Sequence, residues 1–113
     1  IHGGGWKQLQ SQAVEPFEFK RRLNQVTGIN RVHNYYGMVE QTGSIFMECD
    51  YGHMHASAWA DVIVRDSINF KPLPPGRPGL IQLLSVIPRS YPGHSLLSED
   101  EGVLLGNTLL LQV

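Results

Sequence analysis

His33-Asn34-Tyr35-Tyr36-Gly37-Met38-Val39-Glu40-Gln41-Thr42-Gly43 brings aromatic rings, an unhindered backbone position and a carboxylate into one short stretch. The residues leading into it, with Ile29 and Val32, predict a short strand over Ile29 to Tyr35, because β-branched and aromatic side chains fit a half-buried pleated surface. That strand delivers Tyr36 and Gly37 to a turn carrying Glu40. A ring face, a backbone open to close approach and an oxygen donor together suit the holding of a nucleotide.

Upstream, Glu15 to Val26 distributes Phe17, Phe19, Leu23 and Val26 among Glu18, Lys20, Arg21, Arg22, Asn24 and Gln25 at helical spacing. Pro16 near the start and Gly28 just past the end bound it as helices are bounded. The Lys20-Arg21-Arg22 run reads as a solvated face rather than a binding patch. Ahead of the helix, Gly3-Gly4-Gly5 permits positive φ angles and close backbone approach to a ligand. No Gly-Lys-Ser/Thr follows, so this is not a Walker loop.

Downstream, Ser44 to Glu48, Ala58 to Arg65 and Leu80 to Ile87 read as strands, the second strengthened by Trp59, Val62 and Val64. Lys71 to Gly79 holds four prolines, which remove donors and fix backbone angles, so it reads as a loop between two strand groups. Pro88 to Gly93 reads as a turn and Gly102 to Leu105 as a further strand. Ser98 to Gly102 reads as an acidic turn or as part of a site, and the apolar tail from Asn107 to Val113 shows no stop signal. The order predicts an α+β fold in one domain over 1–113, with a helix-bearing unit over 1–43 and a strand-rich unit over 44–113.

The chain has 113 residues, 9 Lys plus Arg and 10 Asp plus Glu. That length can bury about two-thirds of its unfolded surface in one core. Near-neutral charge supplies no field to gather nucleic acid or an anionic membrane, so neither is expected as a partner. No apolar run reaches the roughly 18 residues a membrane span needs. The single Cys49 agrees with a reducing compartment, and a cytoplasmic location is expected.

Tyr36-Gly37-Met38-Val39-Glu40 resembles the Tyr-Gly-x-Thr-Glu signature of the adenylate-forming enzymes, which activate carboxylic acids with ATP. The flanks Ile1-His2-Gly3-Gly4-Gly5-Trp6-Lys7-Gln8-Leu9 and Ser90-Tyr91-Pro92-Gly93-His94-Ser95-Leu96-Leu97-Ser98-Glu99-Asp100 look like the acyl-protein synthetase (LuxE-type) branch. The resemblance runs from Ile1 to about Gly106. Val39 stands where most adenylate-forming enzymes place a Thr that contacts phosphate. Val or Ile there, with Gln after the Glu, resembles the acyl-protein synthetase branch rather than a generic acyl-CoA synthetase.

The resemblance implies part of a large adenylation domain, closing one lobe and entering a distorted, partial β-barrel. It implies that Tyr36 stacks on adenine, that Gly4, Gly5, Gly37 and Met38 border the nucleotide and acyl pocket, and that Asp100 bonds the ribose hydroxyls. Glu40 would be the catalytic carboxylate that holds Mg²⁺ near the phosphates, an electrostatic role rather than a covalent one. It also implies a long-chain fatty acid passing through acyl-AMP to an enzyme cysteine beyond Val113, with acyl-reductase and acyl-transferase partners. Enzymes of the family run to several hundred residues, so an internal piece, inactive alone, is implied. The alternatives are a piece of a phenylacetate-type aryl-CoA ligase, with coenzyme A as acceptor, and a non-catalytic module whose strand edges pair copies into a homo-oligomer.

Cys49 and His55 lie around Tyr51-Gly52 at a spacing where a hairpin could turn thiolate and imidazole toward one metal. No later Cys-x-x-Cys completes four ligands, so structural zinc is the lesser expectation and a buried, small hydrophobe the greater one for Cys49. His94 and Ser95 do not face each other merely by adjacency, which leaves a hydrolase reading weak.

Overall fold

Helix α1 (Pro16–Thr27) starts with Pro in its first turn and stops at Gly28, whose φ is 73° and whose N–H reaches the Asn24 carbonyl at 2.8 Å. A residue without Cβ takes this left-handed cap at no steric cost, which is why the helix ends there. The computed structural model describes residues 1–89, 91–106 and 108–111. Ser90 of the downstream motif and, of the tail, Asn107, Gln112 and Val113 lie outside them.

Eight strands follow from the chain order: β1 (His2–Gly3), β2 (Asn34–Gly37), β3 (Ile45–Glu48), β4 (Met54–His55), β5 (Ala60–Arg65), β6 (Pro78–Ser85), β7 (Ser95–Leu105) and β8 (Thr108–Leu111). Among the described residues they make one sheet in the order β1-β2-β3-β4-β8-β7-β6-β5. Among the described residues only the β1–β2 pair is parallel. The fold is α+β.

Strand alternation decides the core. In β6 the buried positions are Gly79, Ile81, Leu83 and Ser85, and in β5 they are Val62 and Val64. These meet Phe46 of β3 and Met54 of β4 in one cluster, with Tyr36, Met38, Leu73 and Leu104 packed against it. Each such side chain contributes about 1.5–3 kcal/mol on burial, and because both halves of the sheet feed one cluster, the sheet must curl around it. Gly79 shows how tight the fit is, since a Cβ there would lie 2.3 Å from the Arg65 carbonyl oxygen and 2.8 Å from Leu73 Cδ1.

Helix α1 is held differently. None of its residues is buried. Phe19 packs on the rings of His2 and Trp6 at centroid distances of 4.8 and 6.0 Å. Lys20 Nζ donates to Glu48 Oε2 at 2.6 Å, and the same oxygen accepts the Asn34 N–H at 2.7 Å. Burial of Glu48 opposes its ionisation, but the Lys20 and Asn34 bonds outweigh it and leave the pKa below the ordinary carboxylate value.

Several elements differ from the sequence reading: β1, β4 and β8 are unanticipated strands, and β6 starts at Pro78, inside the proline-rich segment expected to be loop, because Pro78 and Gly79 pair with Val103 and Gly102 of β7. Strand β2 begins at Asn34 rather than Ile29, because the two residues of β1 pair only with Asn34 and Tyr35. Strand β7 begins at Ser95, so Ser98 to Gly102 is strand and not a turn. Its Ser and acidic residues have weak strand preference, and pairing with β6 overrides it.

The Cα radius of gyration is 15.0 Å, against about 13 Å for a compact domain of this length. The excess agrees with an open, curled sheet whose outer face leaves Tyr35, Ile45 and Met47 exposed.

Candidate functional site

Parallel pairing of β1 with β2 aligns Gly3 with Tyr35, so the chain leaves both strands at the same end. Gly4-Gly5 continues from one strand and Met38 to Glu40 from the other. In open α/β sheets ligands bind beyond the carboxyl ends of the parallel strands, the same relative position as these two segments. Gly4 has φ 89°, and three residues on, Lys7 has φ 45° in an uncommon left-handed conformation. Gly3 is required by packing, because a Cβ there would sit 2.3 Å from the Tyr35 ring.

From the next position of β2, Tyr36 points inward and rests edge-on against Phe46, with centroids 6.2 Å apart. Its hydroxyl donates to Asp100 Oδ2 at 2.7 Å. Asp100 reaches this place through a bulge in β7: Leu80 pairs with Glu101 and Gln82 with Leu97, so two β6 steps oppose four in β7. Bulges re-aim side chains, and here Ser98 Oγ turns in to the Ile81 carbonyl at 3.0 Å while accepting the Asp100 N–H at 3.2 Å. Burial, and then the bond to anionic Asp100, push the Tyr36 phenol up to about 12.

Glu40 lies in a single 3-10 turn, Val39–Gln41, directly after β2, and its side chain is exposed. Gln41 beside it is 1% exposed. Its Nε2 donates to the Gly93 carbonyl at 2.8 Å and the Leu83 carbonyl at 3.3 Å. Nothing in the composition of the motif marks Gln41 as buried. In the sequence it stands out only as the Gln that follows the motif's Glu.

The motif segment 36–41 is thus tied to β7 and the turn before it at both ends, by Tyr36 to Asp100 and by Gln41 to Gly93. A sequence model of the acyl-protein synthetase family, LuxE, matches residues 1–109. The chain belongs to this family.

Two long-chain-fatty-acid–luciferin-component ligases, from Aliivibrio fischeri and Vibrio harveyi, are each 26% identical to the LuxE-family chain over 107 residues. The match takes in 92% of this chain and 28% of either relative, so the chain spans just over a quarter of their length. Among solved structures, apo MatB from Rhodopseudomonas palustris superposes with a TM-score of 0.64 at 18% identity, over 96% of this chain and 24% of MatB. Its ATP-bound form gives 0.61 over 83% of this chain and 22% of MatB. At that identity the likeness is one of fold, and the helix and curled sheet are the corresponding part of that larger enzyme.

Other groups in the LuxE-family chain do not assemble as sites. Cys49 lies in the β3–β4 turn, its N–H on the His53 carbonyl at 2.9 Å, and it is half-buried rather than enclosed by apolar neighbours. It lines a polar hollow with Lys20, Asn30, Arg31, Val32, His33 and Asp50. Among the described residues no group of three or more His, Cys, Asp or Glu side chains is placed to hold a metal. Ser95 Oγ accepts from Gln82 Nε2 at 2.7 Å. No described helix is long and apolar enough to cross a membrane.

Proposed function

We propose that this chain is the nucleotide-gripping portion of an acyl-protein synthetase that activates a long-chain fatty acid with ATP. The observation that carries the reading is the Tyr36–Asp100 bond, which brings together an aromatic ring and a carboxylate suited to adenine and ribose. The family match, the long-chain-fatty-acid ligases among the relatives and the fold shared with ATP-bound MatB support it.

On this reading Tyr36 offers its ring to adenine while its hydroxyl holds Asp100 by one oxygen. A carboxylate has about four lone-pair positions, which leaves Oδ1 to accept from the ribose hydroxyls. The glycines fit a close ligand. A Cβ at Gly5 meets nothing within 4 Å and one at Gly37 meets only ordinary contacts, from 3.4 Å outward. Packing inside the chain accounts for neither glycine, whereas a nucleotide approaching the backbone accounts for both. Met38, packed against the core, fixes the floor beneath the turn.

Exposed Glu40 fits an oxygen ligand for Mg²⁺, a cation that takes one or two carboxylates beside phosphate and water and supplies charge neutralisation at the phosphates. The fatty carboxylate oxygen bonds to the α-phosphorus of ATP, the bond to pyrophosphate breaks, and acyl-AMP forms. A cysteine thiolate then attacks the acyl carbonyl and AMP leaves, giving the acyl-enzyme thioester. We assign that thiolate outside these 113 residues, in a cytoplasmic enzyme that works with acyl-reductase and acyl-transferase partners. Cys49, in the β3–β4 turn, is not the acceptor in this scheme.

The chain alone is expected to give no fatty-acid-dependent ATP–pyrophosphate exchange. Grafted in place of the matching segment of the Aliivibrio fischeri ligase, it is expected to support exchange that Glu40→Gln removes. Exchange by the 113 residues alone, or a folded chimera unaffected by Glu40→Gln, contradicts the reading.

A further inference from the structure

Gln41 has four features that a solvated turn residue does not need. It is 1% exposed, and its carboxamide donates to two main-chain carbonyls from distant parts of the chain, Leu83 in β6 and Gly93 in the turn before β7. Its own N–H goes to the Met38 carbonyl at 3.1 Å and its carbonyl accepts the Ser44 N–H at 3.2 Å, so it closes the turn from both sides. Its Oε1 and the neighbouring buried Ser44 Oγ have no protein partner. A buried polar side chain with an unsatisfied oxygen is a costly choice at a position where an apolar residue would pack.

Carboxamide chemistry explains the choice. A terminal NH₂ supplies two protons at one point, enough for both carbonyls. Glutamate would set a carboxylate against two carbonyl oxygens, and methionine would fill the space with no donor. The bonds it makes hold the turn that carries Glu40 to β6 and to the segment leading into Asp100. Trp59 Nε1 adds a bond to the Gly43 carbonyl at 2.9 Å at the far end of the same turn.

We propose that Gln41 is a positioning residue: its buried carboxamide fixes the Glu40 turn to the Gly93 turn and so sets Glu40 at a constant separation from Asp100. The proposal rests on the nucleotide-binding reading for what the separation serves, but the mechanical tie stands apart from it. Gln41 touches no reacting atom in this scheme and acts through Glu40.

The test has two arms on the purified 113-residue chain. In the first, amide hydrogen exchange is followed residue by residue in the original chain, Gln41→Met, Gln41→Glu and Glu40→Gln. Removal of the tie is expected to speed exchange at Gln41 and Ser44 by about tenfold, the worth of a net buried hydrogen bond, while β5 and β6 amides keep their protection. Gln41→Glu is expected to loosen the turn more at neutral pH than at acid pH, where a protonated carboxyl regains a donor. Glu40→Gln leaves exchange unchanged. Unaltered exchange at Gln41 and Ser44 in Gln41→Met, or loss spread evenly over every strand, overturns the tie.

In the second arm, ATP affinity is measured with Mg²⁺ and with EDTA. Gln41→Met is expected to abolish the gain that Mg²⁺ confers while sparing metal-free binding, and to add nothing when combined with Glu40→Gln. An equal loss with and without Mg²⁺ overturns the positioning role. Absence of any ATP binding by the original chain defeats the nucleotide reading, and the exchange arm then decides the tie by itself.

Discussion

Tyr36 and Asp100 are joined at 2.7 Å although β3, β4 and β8 lie between their strands in the sheet order. Neighbouring strands are spaced about 4.8 Å apart, so four steps along a flat sheet would separate them far beyond bonding reach. The bond therefore records how strongly the sheet curls, and it places a ring and a carboxylate on the concave side. Shape and candidate chemistry are the same feature seen twice.

The phenol gives the first prediction. With the Tyr36 pKa raised to about 12, the folded state keeps its proton after an unfolded tyrosine, near 10, has lost it. Its contribution to stability is complete below pH 10 and is lost as pH rises toward 12. Ultraviolet titration is expected to show a tyrosinate step centred near 12 that vanishes in Tyr36→Phe. If Tyr36→Phe leaves the titration curve unchanged, the Asp100 bond is not present in solution.

Much of this frame is legible in the sequence. Pro16 and Gly28 bracket α1 within a residue of its observed ends, and the β-branched bulk of Ala58 to Arg65 and the apolar run from Leu80 mark most of β5 and β6 as strand. What escapes sequence reading depends on distant partners. Ser95 to Glu101 becomes strand only because β6 offers an edge, and the aim of Asp100 depends on a bulge whose register no local pattern encodes. The Gln41 anchor escapes for the same reason, since its carbonyl partners stand 42 and 52 residues away. Glu40 and Tyr36 stand out as candidates in the sequence because motif spacing is local.

Glu48 is the anchor of the helix. Glu48→Ala removes the partner of Lys20 and of the Asn34 N–H together, and is expected to cost about 2 kcal/mol in urea unfolding. The loss is expected to fall mainly on amide protection in α1 and β2. A change confined to β5–β7 would mean that the helix is held by something other than this pair.

Two glycines separate packing from function. Gly79→Ala drives a Cβ against the backbone oxygen of Arg65 and is expected to destabilise by more than about 3 kcal/mol. Gly5→Ala enters open space and is expected to change stability by less than about 0.5 kcal/mol while weakening ATP binding. Thermal melts and nucleotide titrations of the two variants decide between them, and equal effects on stability would contradict the assignment.

Acid should loosen the first turn of α1. Hydrogen bonds from Arg21 and Arg22 hold the half-exposed Glu18 carboxyl down to about 2, from an ordinary value of 4.5. Its stabilising contribution is present above pH 4.5 and disappears as pH falls through 2. Circular dichroism in low salt is expected to show helix loss over that interval, reduced in Glu18→Gln. An acid limb identical in the two proteins would assign the loss to other groups.

On the proposed function these 113 residues carry an adenine and ribose grip with a metal-directed carboxylate beside it. Calorimetric titration of the purified chain with ATP and Mg²⁺, repeated with Asp100→Ala and Glu40→Ala, tests it most directly. Saturable binding is expected, weakened by Asp100→Ala with or without Mg²⁺ and by Glu40→Ala only when Mg²⁺ is present. A folded chain that takes up no ATP, or binding indifferent to both substitutions, would contradict it.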